Sequence, residues 1–282
     1  MVKKIVIGNL KGGVGKTTNS VLFAYTLASK GFKVLLCDLD PQANSTDLMT
    51  KTYKRQNNKD IDLKQTMMQA LSEGELKSCM LQIKENLFVL PSSEDFIHYQ
   101  QYLFSLIPST IPNYEKKHRA YFGKLLRDFE DEFDYIIFDV PPSASIYLES
   151  ALYIANHILI ILQPHAHSLK GAISFYDHLE DLTNEYPEVV YYIIGVLPAM
   201  KDFTSDVDRF IVKRATEFFG EDLIFKLHIN LLGRLKRYDY QGIPDISNTT
   251  DSDHHDVVLQ EFYGYLTDEL IERANQLKFK NE

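Results

Sequence analysis

A short run of apolar, β-branched residues, Ile5-Val-Ile-Gly8, leads into the loop Lys11-Gly-Gly-Val-Gly-Lys-Thr-Thr18, and helical spacing follows from Thr17 to Lys30. That order of strand, glycine-rich loop and helix constrains the fold more than any other feature. Gly12, Gly13 and Gly15 let backbone N–H groups turn inward around an anion, while the helix aims its positive N-terminus at the same point. Lys16 can then reach the outer phosphates of a nucleotide, and Thr17 can place its hydroxyl on Mg²⁺. With Val14 and Thr18 these residues are the candidate phosphate-binding set.

The rest of the chain repeats the rhythm. Apolar runs without alternation occur at Ile5 to Gly8, Val34 to Cys37, Leu87 to Leu90, Tyr135 to Phe138, Ile158 to Leu162, Tyr192 to Leu197 and Ile224 to Ile229. Such runs suit strands buried on both faces. Helical spacing separates them at Leu63 to Leu71, Tyr114 to Phe129, Leu169 to Tyr186, Ser205 to Phe219 and Val257 to Leu277. The alternation predicts an α/β fold, a largely parallel twisted sheet flanked by helices, with its ligand site at the carboxyl ends of the strands. No internal repeat or low-complexity linker divides the 282 residues, so a single domain over 1–282 is expected. The least regular stretches are Lys51 to Lys59 and the polar run Asn248 to His255, read as an exposed loop in which His254 and His255 are solvated rather than metal ligands.

Composition narrows the function. Thirty basic against 39 acidic residues give a formal charge of −9, which excludes an overall basic coat but leaves room for a local basic face. Two cysteines, Cys37 and Cys79, make no disulfide framework and no four-thiolate metal site. No apolar stretch approaches the ~18 residues that would span a bilayer, and the first motif starts too early for a signal peptide, so a cytoplasmic protein is expected.

Acidic residues stand where the strands end. Val34 to Cys37 delivers Asp38-Leu-Asp-Pro-Gln-Ala-Asn44 to the sheet's carboxyl edge, and carboxylates beside a triphosphate are costly unless a metal or a proton transfer uses them. Tyr135-Ile-Ile-Phe-Asp139 has the form of a strand ending in an acid that holds Mg²⁺ through water.

The first loop departs from G-x-x-x-x-G-K-[ST], because Leu10 stands five residues before Gly15 and a lysine precedes the glycines. A loop starting Lys11-Gly-Gly resembles the deviant Walker A ATPases, whose members include ParA-type partition proteins, the cell-division regulator MinD, nitrogenase iron protein and arsenite-pump ATPases. The resemblance implies that Lys11 crosses a dimer interface to the partner's nucleotide, as an arginine finger does; the alternative is a lysine acting within its own subunit. Asp38 to Asn44 resembles the family's D-x-D-P-Q-x-N motif, which implies a water-positioning role for Asp40 and a supporting role for Asp38 in the loop and magnesium shell. Asp139-Val-Pro-Pro-Ser143 resembles its D-x-P-P-S switch. Gln163 to Gly171 resembles its Q-P-x-x-x-S-L-x-G turn, and Val196-Leu-Pro-Ala-Met200 its V-L-P-T-M segment, which implies Pro198 and Met200 as walls of an adenine pocket.

Within the family, Leu10 and Asp-Pro-Gln-Ala-Asn resemble the ParA/Soj-type partition branch. That implies an ATP-hydrolysing, Mg²⁺-dependent homodimer that binds non-specific DNA at the nucleoid and answers to a ParB-like centromere-binding protein. A MinD-like regulator acting on a membrane or protein complex is the alternative, but Leu266 to Glu282 carries Asp268, Glu269, Glu272 and Glu282, which suits a core-facing helix better than a lipid-binding one. No helix-turn-helix extension is expected ahead of the loop. The DNA-contacting candidates are Arg209, Lys213 and Arg214 on one helix, with Arg234, Lys236 and Arg237, and Lys201 beside them, all reading phosphate rather than base. Gly242-Ile-Pro-Asp245 resembles the family's late G-x-P-I turn except at its final residue.

Overall fold

The non-alternating runs do become central strands. The computed structural model describes residues 1–202, 204–230, 233–248 and 250–276. In chain order these form β1 (Lys3–Gly8), α1 (Lys16–Ser29), β2 (Val34–Asp38), α2 (Asn44–Asn57), α3 (Met67–Glu73), β3 (Leu81–Lys84), β4 (Leu87–Leu90), α4 (Tyr99–Leu106) and α5 (Tyr114–Leu126). Then follow β5 (Tyr135–Asp139), α6 (Ile146–Leu152), β6 (His157–Leu162), α7 (Ala166–Glu185), β7 (Tyr192–Pro198), α8 (Asp206–Phe219), α9 (Gly233–Gln241) and α10 (His254–Gln276).

Among the described residues the seven strands make one sheet in the order β3-β4-β2-β5-β1-β6-β7, parallel except for β3, which runs antiparallel to β4. Alternate residues of each strand face different cores. Val6, Ile136 and Phe138 join the layer that holds α3 to α8, while Ile5, Ile7, Tyr135 and Ile137 pack against α1, α2, α9 and α10. This two-sided burial is why the strand sequences lack polar alternation. Cys37 and Cys79 are both buried and free.

Three segments depart from expectation. Ile224 to Ile229 is not a strand: it touches β7 through a single bridge at Ile224, with Phe225 N donating to Val196 O and Ile229 N to Pro198 O. Between those points Lys226 N and Leu227 N donate to the carboxylate of Glu269 on α10, so the ladder is interrupted by a side chain. Lys51 to Asn57 is the second half of α2 rather than an irregular stretch; only Leu48, Met49 and Thr52 face inward beyond the first turn, and the polar outer face concealed the period. The antiparallel β3 has four residues, too few to show alternation.

Smaller shifts have local causes. Thr66 caps α3 in a capping box with Gln69, so that helix begins at Met67 and leaves Leu63 outside it. Thr250 and Asp251 form a turn and Thr249 lies outside the described residues, but His254 and His255 open α10. The apolar stripe of α10, Leu259, Tyr263, Leu266, Leu270 and Ala274, is core-facing as expected; Leu277 to Glu282 lie outside the described residues.

Gly123 of α5 has no room for a side chain, because a methyl there would overlap Ile154 after α6. Gly123→Ala is expected to destabilise the fold by about 1–3 kcal/mol through overpacking, measured as a lower urea midpoint at unchanged slope.

Candidate nucleotide site

The site is assembled at the carboxyl ends of β1, β2 and β5. Gly13 and Gly15 have φ of 74° and 92°, in the left-handed region open to glycine, and Gly15 starts α1 by accepting from Asn19 N at 3.0 Å. The loop's entry is fixed by Asn9, which the sequence alone did not single out. Its Nδ2 donates to Ile161 O at 2.7 Å and Ser168 O at 3.2 Å, and its Oδ1 accepts from Lys11 N at 2.8 Å. A Cβ on Gly171 would stand 2.5 Å from Asn9 Oδ1 and 3.0 Å from Lys11 N, so the last glycine of the Gln163 to Gly171 turn is there to let α7 approach the loop.

The two lysines part company. Lys16 is 7% exposed, and its Nζ donates to Lys11 O at 3.1 Å across the loop. Burial pulls its pKa down, while Asp139 and Asp40 oppose that. Lys11 is exposed, its backbone held and its side chain at the surface. Val14 is buried in the core beneath the loop, so its side chain is out of reach of a phosphate.

Asp38 and Asp139 are register partners on adjacent strands and both are buried. Asp38 Oδ2 accepts from Thr46 N at 2.9 Å and Thr46 Oγ1 at 2.7 Å, and its Oδ1 from Asp40 N at 3.2 Å. Asp139 accepts from Ser20 Oγ at 3.2 Å and Ser45 Oγ at 2.6 Å, and the Thr17 hydroxyl also bonds to it. Burial raises the pKa of both; the Asp139 charge raises Asp38 further, while Ser45, Thr17 and Lys16 favour ionised Asp139. Ser45 and Thr46 were missed because nothing in the sequence distinguishes hydroxyls that hold carboxylates from ordinary helix-start residues.

A cavity of about 380 Å³ is lined by Gly12, Gly13, Gly15, Lys16, Thr17, Thr18, Asp40, Gln42, Asn44, Val140, Pro142 and Met200. Asp40 is fixed at its rim by accepting from Gln42 N at 3.0 Å. A smaller cavity of about 60 Å³ shares Gly15, Thr18 and Met200 and adds Asn19, Ala199, Ile229, Leu235, Lys236 and Asp239. Met200 therefore faces both spaces, whereas Pro198 ends β7, accepts from Ile229 N and lines neither cavity. The oxygen-only set of Thr17, Asp38 and Asp139, two buried acids beside a hydroxyl, fits Mg²⁺; Ser45 and Thr46 already hold the carboxylates, which suits ligation through water.

The basic candidates do not form one surface. α8 packs through Ala215 on one core layer and α9 through Leu235 and Tyr238 on the other, so the sheet lies between them. Arg209 pairs with Asp206, Arg214 with Glu217 at 3.5 Å, and Arg237 with Asp253 at 3.6 Å. Arg234 is drawn to Asp253 at 2.8 Å and Asp256 at 3.4 Å and is 17% exposed. Lys213 and Lys236 are exposed. Lys201 is buried, with Nζ 3.1 Å from His228 Nδ1, and is not part of a surface patch.

Fold and site together define a P-loop nucleoside triphosphatase with an extra lysine at the mouth of its phosphate loop. Residues 2–190 match the model of a family described as an AAA domain. The chain is 30% identical over 244 residues to the chromosome partitioning protein ParA of Myxococcus xanthus (strain DK1622), covering 86% of this chain and 80% of that one. It is 28% identical over 247 residues to the chromosome-partitioning ATPase Soj of Treponema pallidum (strain Nichols), covering 86% and 89%. Its fold matches the ATP complex of Cyanothece McdA with a TM-score of 0.74 at 20% identity, covering 95% and 96% of the two chains. The chain belongs to the AAA domain family and, within it, to the ParA/Soj-type partition ATPases.

Replacing Lys16 by Met removes the only buried cation of the cradle among the described residues. Nucleotide affinity is expected to fall by about 2–5 kcal/mol, roughly 30- to 4,000-fold, in a fluorescent ATP-analogue titration.

Proposed function

We propose that ATP closes two copies face to face, that Lys11 of each then reaches the other's nucleotide, and that the closed dimer binds non-specific DNA. The observation that carries this reading is the contrast at the loop: Lys16 is committed to its own cradle, while Lys11 has a fixed backbone and an exposed side chain. In this scheme Thr17, Asp139 and Asp38 would hold Mg²⁺, which would supply charge neutralisation at the phosphates. Asp40 orients the attacking water, and Met200 walls the adenine. Hydrolysis opens the dimer and releases DNA, and a ParB-like centromere-binding protein stimulates that step to move a plasmid or chromosome segment. The name Soj or ParA on the relatives supports the partition role. No described helix is long and apolar enough to cross a membrane.

The DNA contacts are assigned to Lys213 and Lys236, with Arg209, Arg214, Arg234 and Arg237 exchanging their carboxylate partners for phosphate. Six such contacts from a dimer would lose about 10³-fold in affinity between 50 and 200 mM salt. A salt-independent affinity, or one equal with ATP and ADP, would sink the DNA reading. Asp40→Ala is expected to leave an ATP-bound dimer whose turnover drops roughly 10²- to 10³-fold. Lys11→Ala is expected to bind ATP with wild-type affinity and to remain a monomer by sedimentation. A Lys11→Ala protein that still dimerises with ATP would return that lysine to its own subunit.

A further inference from the structure

We infer that α2 is a strut coupling the carboxylates of the nucleotide site to the basic helix α9, and that Thr52 and Arg55 are the positioning residues that fasten it. The inference deepens the function proposed above and rests on it only for what α9 meets.

One end of the strut lies in the site. α2 starts directly after the Asp40-Pro-Gln-Ala43 turn, and its first residues, Ser45 and Thr46, bond Asp139 and Asp38. The other end lies ten residues on, about 15 Å along the helix. There the Thr52 hydroxyl, fully buried, donates to Leu48 O at 2.8 Å and accepts from Ile243 N at 3.0 Å. Arg55 donates to Gly242 O at 2.9 Å and to Asp251 through both its carboxylate and its carbonyl at 2.7 Å. Gln56 donates to Ile243 O at 3.0 Å.

Gly242 and Ile243 are the exit of α9, with Gly242 N donating to Tyr238 O at 2.8 Å. Lys51 of α2 also donates to Asp239 O in the last turn of α9 at 3.1 Å. The joint has no slack: Gly242 sits at φ 80°, and a Cβ there would be 2.6 Å from the Lys51 carbonyl carbon and Thr52 N. Close-packed elements joined this way move as one body rather than deforming. Leu235, Lys236 and Asp239 of α9 also line the smaller cavity beside Met200. The helix bearing Lys236 and Arg237 is thus fastened at its end to the far half of α2 and also borders the site's second cavity. A displacement of Ser45 and Thr46 when the carboxylates take up a metal–nucleotide complex reaches α9 through Thr52 and Arg55, and by linkage whatever binds α9 acts back on the site.

Two variants test this. Thr52→Val keeps the side-chain shape and removes the acceptor for Ile243 N; Arg55→Lys keeps charge and loses the fork that spans Gly242 and Asp251. The readout is hydrogen–deuterium exchange over residues 233–248 with a non-hydrolysable ATP analogue against ADP. In the unaltered protein exchange there should be about fivefold or more slower with the ATP analogue, a coupling of ordinary size. In both variants the difference is expected to shrink below about twofold, with melting temperature and ATP affinity near the unaltered values. No nucleotide-dependent difference in the unaltered protein, or a full difference in folded variants, would overturn the strut. The ratio of DNA affinities with ATP and ADP, measured on the same proteins, separates the two ideas. If the unaltered protein fails to bind DNA while the exchange difference persists and depends on Thr52 and Arg55, the DNA reading falls and the strut stands.

Discussion

Two carboxylates, Asp38 and Asp139, sit side by side on neighbouring strands with almost no exposed surface. Burying one charge costs several kcal/mol, and a like charge beside it adds to that cost. The surrounding chain is arranged to meet it. Ser20 comes from the helix after the phosphate loop, Ser45 and Thr46 from the helix after β2, and Thr46 Oγ1 in turn accepts from Ser92 N beyond β4. Hydroxyls from two helices therefore converge on the pair of carboxylates, a backbone amide beyond β4 holds one of those hydroxyls, and Lys16 supplies the opposing charge. Strand order follows from the same need, since β5 must lie between β1 and β2 for both acids to reach one phosphate cradle.

What could be read from the sequence was whatever a local pattern dictates. The phosphate loop was legible because glycine, lysine and threonine occur in the order the chemistry requires, and the central strands because two-sided burial leaves unbroken apolar runs. Asp38, Asp40 and Asp139 were legible as acids at strand ends. Contacts made by distant residues were hidden. Asn9 looks like any polar residue after a strand, yet it ties the loop to Ile161 and Ser168. Arg234 looks like an open cation, yet Asp253 and Asp256, beyond the Gly242 turn, claim it. Ile224 to Ile229 reads as a strand, and only Glu269 on the last helix shows why its N–H groups go elsewhere. α2 escaped notice for a related reason: its stability comes from Arg55 and Gln56 reaching a turn nearly two hundred residues away rather than from a wide apolar face.

Ion pairs within and between elements bear on how an acidic chain would meet the polyanion proposed for it. Its arginines on α8 and α9 are not bare; each has a carboxylate within reach on the same or a neighbouring element. Apart from the largely buried Arg234, these pairs are exposed and add little to stability, about 0–1 kcal/mol, so a phosphate would compete with the carboxylate on nearly even terms.

In the scheme proposed above, that near-even competition would make one copy a poor ligand for a charged polymer, and two copies held in fixed register a good one. When a second set of weak contacts is delivered at high effective concentration, avidity exceeds either single affinity by orders of magnitude without any new contact. In that scheme Asp206, Glu217 and Asp253 would act as ballast, keeping the lone subunit's grip below a useful threshold. Their number, rather than the number of arginines, would set how sharply attachment responds to pairing of the subunits.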